Sequence, residues 1–409
     1  MNAVEETHYY FHKAARIMDV GTPIETLLAT PLREVKVQVS IEMDSGEIRT
    51  FTGYRIQHDN SRGPMKGGLR YHPKLDGYEC TSMASLMTWK TAVANLPYGG
   101  AKGGITCDPT QLSLKELERL TRKYVDQMQD VIGPSRDIMA PDLNTNPQVM
   151  AWIMDQYSRY HGHSPAVVTG KPLELYGSKG REAATGRGLL YICREILRDV
   201  HIPMKGTRFS IQGFGNVGSH IARLLWDDGA AVVAVSDVLG GVRNPQGLDI
   251  PSLFEHVQRT GTVTGYSGGQ ACSNEEVLAA DCEVLIPAAL GHVLTKENAN
   301  AVRAKLIIEG ANGPTTPEAD ELLEKRGLLV VPDILASAGG VTVSYFEWVQ
   351  NLQHLAWEEE RVNAELERTM KESYERVTQI ARSRKVPLRT AAFILAIGRV
   401  GKATVMRGI

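Results

Sequence analysis

A short apolar strand, Phe209-Ser210-Ile211-Gln212, runs straight into Gly213-Phe214-Gly215-Asn216-Val217-Gly218 and then into a helical pattern through Ile221, Leu224 and Leu225. Few backbones satisfy that order. The first glycine permits a tight turn, the second lets main chain approach a pyrophosphate, and the third lets helix pack on strand with its N-terminus facing the phosphates. The next strand, Ala231 to Ser236, ends at Asp237, where an acid would accept the hydroxyls of an adenosine ribose. A turn that holds no ligand would account for the glycines but not for that acid. Gly213, Gly215, Asn216, Val217, Gly218 and Asp237 are therefore expected to bind a dinucleotide. Val238 and Leu239 offer no hydrogen bond to a 2′-phosphate, which favours NAD, while the nearby Arg243 leaves NADP possible.

Short apolar runs continue at Glu283 to Ile286, Lys305 to Glu309 and Leu328 to Val331, as in a parallel sheet covered on both faces. At 409 residues the chain exceeds the size at which one core stops growing, so two domains are expected. The first half has another character. Val35, Val37, Val39 and Ile41 alternate with polar partners, Asp44-Ser45-Gly46 turns the chain, and Ile48 to Ile56 returns as the second arm of a hairpin. Ser82 to Leu96 reads as a helix, and Ser113 with Glu116 makes a capping box that opens another. Pro134 to Gly188 reads as loop, which puts the boundary near Thr185. The expected fold class is α/β with two domains. A mixed-sheet N-terminal domain over 1–184 is rejoined by a C-terminal helix at about 386–409, and a Rossmann-like dinucleotide-binding domain covers 185–385.

A formal net charge of -2 gives no global pull toward nucleic acid or an anionic membrane. No apolar run reaches membrane-spanning length, and the N-terminus has no basic-then-apolar leader pattern. The five cysteines are odd in number, scattered and free of any Cys-x-x-Cys pair, so they read as reduced thiols of a cytoplasmic protein. The histidines include no His-Glu-x-x-His and no Cys/His cluster at ligand spacing, and no metal is expected.

The chemistry concentrates before the dinucleotide motif. Lys66 and Lys102 lie in Pro64-Met65-Lys66-Gly67-Gly68 and Gly99-Gly100-Ala101-Lys102-Gly103-Gly104, runs whose small side chains let backbone or a flat ligand approach each amine. Lys90 lies on the helical segment between them, and Asp142 occupies a loop beside Pro141. Two lysines could clamp two carboxylates through charge-assisted hydrogen bonds. A third, crowded by like charges and partly desolvated, could remain neutral enough to act as a general base.

Lys66-Gly67-Gly68-Leu69-Arg70, Trp89-Lys90, Pro97-Tyr98-Gly99-Gly100-Ala101-Lys102-Gly103-Gly104 and Ala140-Pro141-Asp142 carry a resemblance. Ala184-Thr185-Gly186-Arg187-Gly188, Glu309-Gly310-Ala311-Asn312-Gly313-Pro314 and Ala338-Gly339-Gly340-Val341-Thr342-Val343-Ser344 extend it. Together they resemble the glutamate dehydrogenase family, which also acts on leucine, phenylalanine and valine, in the same order and spacing from about residue 30 to the C-terminus. The resemblance implies that Lys90 holds a substrate α-carboxylate and that Lys66 with Ser344 holds a side-chain carboxylate. It implies that Lys102 activates water, that Asp142 shuttles protons to and from the amino group, and that Thr185 and Asn312 contact the cofactor's nicotinamide end. Relatives acting on apolar amino acids carry an apolar residue at the position of Lys66, because an uncompensated ammonium facing an alkyl chain is costly. The implied reaction is reversible oxidative deamination of L-glutamate to 2-oxoglutarate and ammonia with hydride transfer to NAD(P), in a homo-hexamer built through the first domain. Closure between the domains would exclude water from the hydride step. The alternatives are a dehydrogenase of another amino acid and a dinucleotide-binding regulator without catalysis.

Overall fold

The computed structural model describes residues 3–408, which form a two-domain α/β fold of two compact units. The first comprises Met1–Arg181, Val341–Val362 and Phe393–Ile409, and the second comprises Glu182–Gly340 and Asn363–Ala392. The sequence suggests one return to the first domain near residue 386, whereas the first unit also takes in 341–362. That segment is bound by contacts the sequence cannot display. Within the first unit, Lys171 Nζ donates to Glu347 at 2.6 Å, and the Trp348 indole N–H donates to the Pro134 carbonyl at 2.9 Å.

The first unit holds helices α1 (Ala3–Met18) and α2 (Thr22–Ala29), then strands β1 (Arg33–Glu42), β2 (Ile48–Asp59) and β3 (Met65–Tyr71). Helix α3 (Gly77–Val93), β4 (Gly100–Thr106), α4 (Leu114–Met128), β5 (Asp137–Pro141) and α5 (Pro147–His161) follow. The sheet order is β1-β2-β4-β3-β5. β2 is antiparallel to both β1 and β4, while β3 is parallel to both β4 and β5. The hairpin forms as the alternation requires, with Gly46 at φ +87° donating its N–H to Met43. The capping box of Ser113 and Glu116 starts α4.

A core of Val39, Phe51, Leu69, Ile105, Tyr124 and Ile153 lies between one sheet face and helices α4 and α5. On the opposite face α3 packs with Ile56, Leu75, Cys80 and Ala84. Gly100 makes this close approach possible, since a Cβ there would lie 2.3 Å from the Thr88 nitrogen. The stretch expected to be loop, 134–188, in fact contains β5, α5 and the start of a further helix. The helical signal in α5 is local: the Asn146 side chain accepts from the Val149 N–H and Pro147 occupies the first turn.

The second unit begins with α6 (Ala184–Asp199), β6 (Arg208–Gln212), α7 (Asn216–Asp227), β7 (Ala231–Ser236), β8 (Gly241–Arg243) and α8 (Ile250–Thr260). It continues with β9 (Gln270–Cys272), α9 (Asn274–Leu278), β10 (Val284–Pro287), β11 (Leu306–Ile308), α10 (Pro317–Lys325), β12 (Leu329–Val331) and α11 (Asp333–Ala336). Its sheet runs β12-β11-β10-β6-β7-β8-β9. The five strands from β12 to β7 are parallel, and β8 and β9 extend the edge antiparallel. Helices α12 (Gly339–Gln353), α13 (Glu359–Arg384) and α14 (Leu388–Met406) complete the chain. Among the described residues no helix is long and apolar enough to cross a membrane.

Candidate active site

Strand alternation sets the charged cluster of the first unit. On β3, Lys66, Gly68 and Arg70 point to one face of the sheet, and Leu69 and Tyr71 point into the core on the other. Lys102 on neighbouring β4 reaches the Lys66 face: a Cβ on Gly68 would lie 3.4 Å from Lys102 Nζ and 2.8 Å from Asp142 Cβ. Asp142 follows the end of β5, with its N–H donated to Thr145 Oγ1 at 2.9 Å. Lys102 Nζ donates to Asp142 Oδ2 at 2.6 Å, and Arg70 Nε donates to Asp142 Oδ1 at 2.5 Å. Burial acts to raise the Asp142 carboxyl, but the charges and hydrogen bonds of Lys102 and Arg70 prevail and hold it well below the usual carboxylate range.

Among the glycines of β3 and β4, Gly68 is the one whose space borders the Lys102 amine and the Asp142 side chain, with the Pro141 carbonyl oxygen between them in distance at 3.1 Å. The neighbouring glycines admit backbone instead, as a Cβ on Gly67 would lie 1.6 Å from the Ala101 carbonyl oxygen and one on Gly104 would lie 2.1 Å from that of Arg70. The glycine runs thus bring strands together, and the reactive gap follows from that packing.

Lys66 is 1% exposed and donates to the Met139 carbonyl at a long 3.5 Å. Burial, with the guanidiniums of Arg181 and Arg55, pushes its ammonium well below the usual lysine range, against the opposing pull of Glu347 and Asp137. Arg55 is fully buried and paired with Asp137, and its Nη1 donates to the Gly67 and Gly68 carbonyls at 3.3 and 3.2 Å, fixing the strand that carries Lys66. Arg181 is half-buried, and its Nε has no hydrogen-bond partner. Lys66 and Arg181 together therefore form a cationic spot, partly offset by the Glu347 carboxylate that acts on both.

Ser344 is buried on α12 one turn before Glu347, whose carboxylate also accepts the Gly170 N–H at 2.9 Å. Lys90 is buried in the last turn of α3, the helix that covers the face presenting Lys66 and Lys102. The sequence singles out Lys66, Lys90, Lys102, Asp142 and Ser344 as candidates and leaves Arg70 undecided; all six lie in the first unit. It missed Arg55, Asp137, Lys171, Arg181 and Glu347. Only the arginine in Gly180-Arg181, immediately before the boundary, gave a local hint.

In the second unit the fingerprint has the expected form. Gly213 has φ +97°, a Cβ on Gly218 would lie 1.8 Å from the Gly213 carbonyl oxygen, and one on Gly215 would meet nothing within 4 Å. No side chain caps the N-terminus of α7, which leaves its first N–H groups and the space over Gly215 for a phosphate. Asp237 accepts from the N–H groups of Leu239 and Val263 at 2.8 and 2.7 Å and from Thr262 Oγ1 at 2.6 Å. Burial would raise its carboxyl, but these hydrogen bonds lower it. These residues fit a dinucleotide.

Thr185 lies in the first turn of α6, which approaches α7 so closely that a Cβ on Gly186 would lie 2.9 Å from the Ile221 nitrogen. Asn312 is exposed in the loop after β11, and this loop shares the carboxyl edge of the sheet with the Gly213 turn. The Gly310 and Ala311 N–H groups donate to the Pro287 carbonyl at 2.9 Å, and the Ala288 N–H donates to that of Gln212 at 2.8 Å. Buried Glu309 anchors the loop: Arg389 Nη2 donates to it at 2.7 Å and to Asp320 at 3.1 Å, and Asp333 accepts the Gly313 N–H at 2.8 Å. The Gly213 turn follows β6 and the Asn312 loop follows β11, so both lie at the carboxyl ends of parallel strands, where open α/β sheets bind ligands. Among the described residues no group of His, Cys, Asp and Glu is placed to hold a metal ion.

Two family profiles match the chain. Glutamate/Leucine/Phenylalanine/Valine dehydrogenase covers residues 177–408, and the dimerisation domain of Glu/Leu/Phe/Val dehydrogenases covers 31–159. The chain is 51% identical over 402 residues to a glutamate dehydrogenase from Thermotoga maritima, covering 98% of this chain and 96% of that protein. It superimposes with a TM-score of 0.94 and 39% identity on the hetero-hexameric glutamate dehydrogenase of Thermus thermophilus in a Leu-bound form, covering 98% and 96% of the two chains. The glutamate dehydrogenase of Peptoniphilus asaccharolyticus matches at a TM-score of 0.88 and 35% identity over the full length of both chains.

Proposed function

Because the chain belongs to the Glutamate/Leucine/Phenylalanine/Valine dehydrogenase family, we propose that it catalyses the reversible oxidative deamination of L-glutamate to 2-oxoglutarate and ammonia. The observation that carries this reading is the Lys102–Asp142 contact of 2.6 Å beside the gap at Gly68, with the buried cation Lys66 on the same sheet face. We read the first unit as the substrate-binding and oligomerisation part and the second as the dinucleotide-binding part.

Lys90 holds the α-carboxylate of glutamate, and Lys66 with Ser344 holds the side-chain carboxylate, with Arg181 adding a second cation there. NAD bound by Gly213, Gly215, Asn216, Val217, Gly218 and Asp237, with Thr185 and Asn312 at its nicotinamide end, would supply the hydride acceptor for the substrate α-carbon. Asp142 takes a proton from the substrate amino group, Lys102 activates the water that attacks the iminium carbon, and Asp142 returns a proton to the departing ammonia. Each carboxylate leaves water only when a fixed cation awaits it, so binding energy orients the α-carbon. NAD is favoured over NADP by the Asp237 carboxylate and by Val238 and Leu239, which are 92% and 70% exposed and offer a 2′-phosphate no donor.

Lys66 disfavours a leucine or phenylalanine substrate, since an alkyl chain would leave a desolvated ammonium without a partner. The reduced cysteines and modest net charge support a cytoplasmic protein with small-molecule partners, and the hetero-hexameric Thermus assembly supports a hexamer, which we read as built from copies of this one chain. The test is a spectrophotometric assay crossing NAD and NADP with glutamate, leucine and phenylalanine, repeated on Lys102→Ala and Asp142→Asn. Glutamate-dependent NAD reduction is expected, with turnover nearly abolished in both variants while glutamate still binds. Retained turnover in either would remove that residue's role, and reduction driven equally by leucine would remove the substrate assignment.

A further inference from the structure

We infer that Arg70, braced by Glu79, is a positioning residue that pins Oδ1 of Asp142, so that proton exchange with the substrate amino group takes place at Oδ2. The inference rests on the function proposed above and refines its proton-transfer step.

The geometry divides the two carboxylate oxygens. Oδ1 receives Arg70 Nε at 2.5 Å, and Oδ2 receives Lys102 Nζ at 2.6 Å. The two donors are not alike. Lys102 carries one nitrogen on a flexible stem that can rotate away when substrate or water enters, whereas Arg70 is a planar fork whose second arm is already committed. That arm, Nη1, donates to Glu79 Oε1 at 2.6 Å. Glu79 is itself fixed in the first turn of α3, where its N–H donates to Asp76 Oδ1 at 2.8 Å. A chain of contacts thus runs from the capped end of α3 through Glu79 and Arg70 to Oδ1, while Oδ2 faces the movable amine beside the Gly68 gap.

A carboxylate rotates about its last bond at little cost, which would interchange its oxygens between turnovers. Arg70 removes that freedom. Glu79 matters because it occupies the half of the guanidinium that could otherwise swing toward an anionic substrate. The strand supplies the spacing: Gly68 and Arg70 lie two residues apart on the same face, so the residue that opens the gap is adjacent to the one that steadies its wall.

The test uses the full-length protein with Arg70→Ala, Arg70→Lys and Glu79→Ala. Arg70→Ala is expected to lower kcat by roughly 100-fold, the scale of a 1 Å misplacement of a reacting group. The KM for glutamate should change less than threefold, and added guanidinium ion should restore at least tenfold of the lost turnover. Glu79→Ala should show a smaller kcat loss in the same direction. A general packing role would raise KM or thermal lability and would not respond to guanidinium. Unrescued loss, or a KM effect larger than the kcat effect, overturns the inference. If Arg70→Ala does not fold, Arg70→Lys decides: its ammonium cannot hold both partners, so full activity in that variant refutes the proposal. Failure of the wild-type protein to oxidise glutamate would instead sink the underlying function.

Discussion

Replacing Lys66 with methionine is expected to stabilise the substrate-free protein while impairing its use of glutamate, two effects of opposite sign from one buried ammonium. Lys66 is 1% exposed and donates to the Met139 carbonyl at a long 3.5 Å. Arg181 and Arg55 add like charge. The folded state therefore holds this proton less tightly than the unfolded chain does, so Lys66 subtracts stability at every pH below the unfolded lysine value near ~10.4. The penalty is complete once the pH falls below the folded value, and it vanishes above about pH 11. Methionine has a similar length and fills irregular space, so Lys66→Met should gain about 1–3 kcal/mol at neutral pH, as buried charges replaced by apolar side chains commonly do. The same change deletes a charge-assisted contact to the substrate carboxylate worth about 1.5–3 kcal/mol, a fall of roughly 10- to 150-fold in kcat/KM. Urea unfolding of both proteins at pH 7 and pH 11, with and without 2-oxoglutarate, measures the first effect, and initial rates with glutamate measure the second. A variant less stable than wild type at pH 7 without ligand would refute the desolvation argument. A kcat/KM within threefold of wild type would refute the carboxylate clamp.

Other substitutions probe separate parts of the architecture. Gly68→Ala sets a Cβ 2.8 Å from that of Asp142, so kcat should drop about 100-fold with an unchanged circular dichroism spectrum, and wild-type turnover would show that the gap is unimportant. Arg389→Met leaves buried Glu309, Asp320 and Asp333 without their shared cation and should cost about 3–5 kcal/mol in urea unfolding. Burial already raises the Glu309 carboxyl despite Arg389, and a raised acid favours the fold most at low pH, so this loss should shrink on acidification. A loss independent of pH between 5 and 8 would contradict that reading. Asp237→Ser removes the proposed ribose acceptor and should move the ratio of kcat/KM for NAD over NADP toward NADP by about tenfold, and an unchanged ratio would assign the preference elsewhere.

Much of the site was legible because its signals are local. The turn at Gly213 to Gly218 specifies a backbone that few residue types permit, and the acid at Asp237 stands at the end of the very next strand. Lys66, Lys90, Lys102 and Asp142 were identifiable from their immediate neighbours and from the family resemblance. Helix α5 was overlooked because the prolines and glycines around it outweighed a short capping signal at Asn146 and Pro147. The meaning of the glycine runs was also only half visible. Whether a glycine makes room for an amine or for the backbone of the adjoining strand depends on which strand lies alongside, and the parallel pairing of β3 with β4 is absent from either segment read alone.

The sequence by itself determined the two-domain α/β class, the dinucleotide turn and the set of amines and carboxylates available for chemistry, since these follow from local conformational preference and side-chain type. Tertiary structure alone decided which charges meet: Asp142 between Lys102 and Arg70, Lys66 beside Arg181, Arg55 under Gly67 and Gly68, and Arg389 among three acids. Those pairings join residues distant along the chain, and their strength depends on burial, which is a property of the packed fold and of no segment within it.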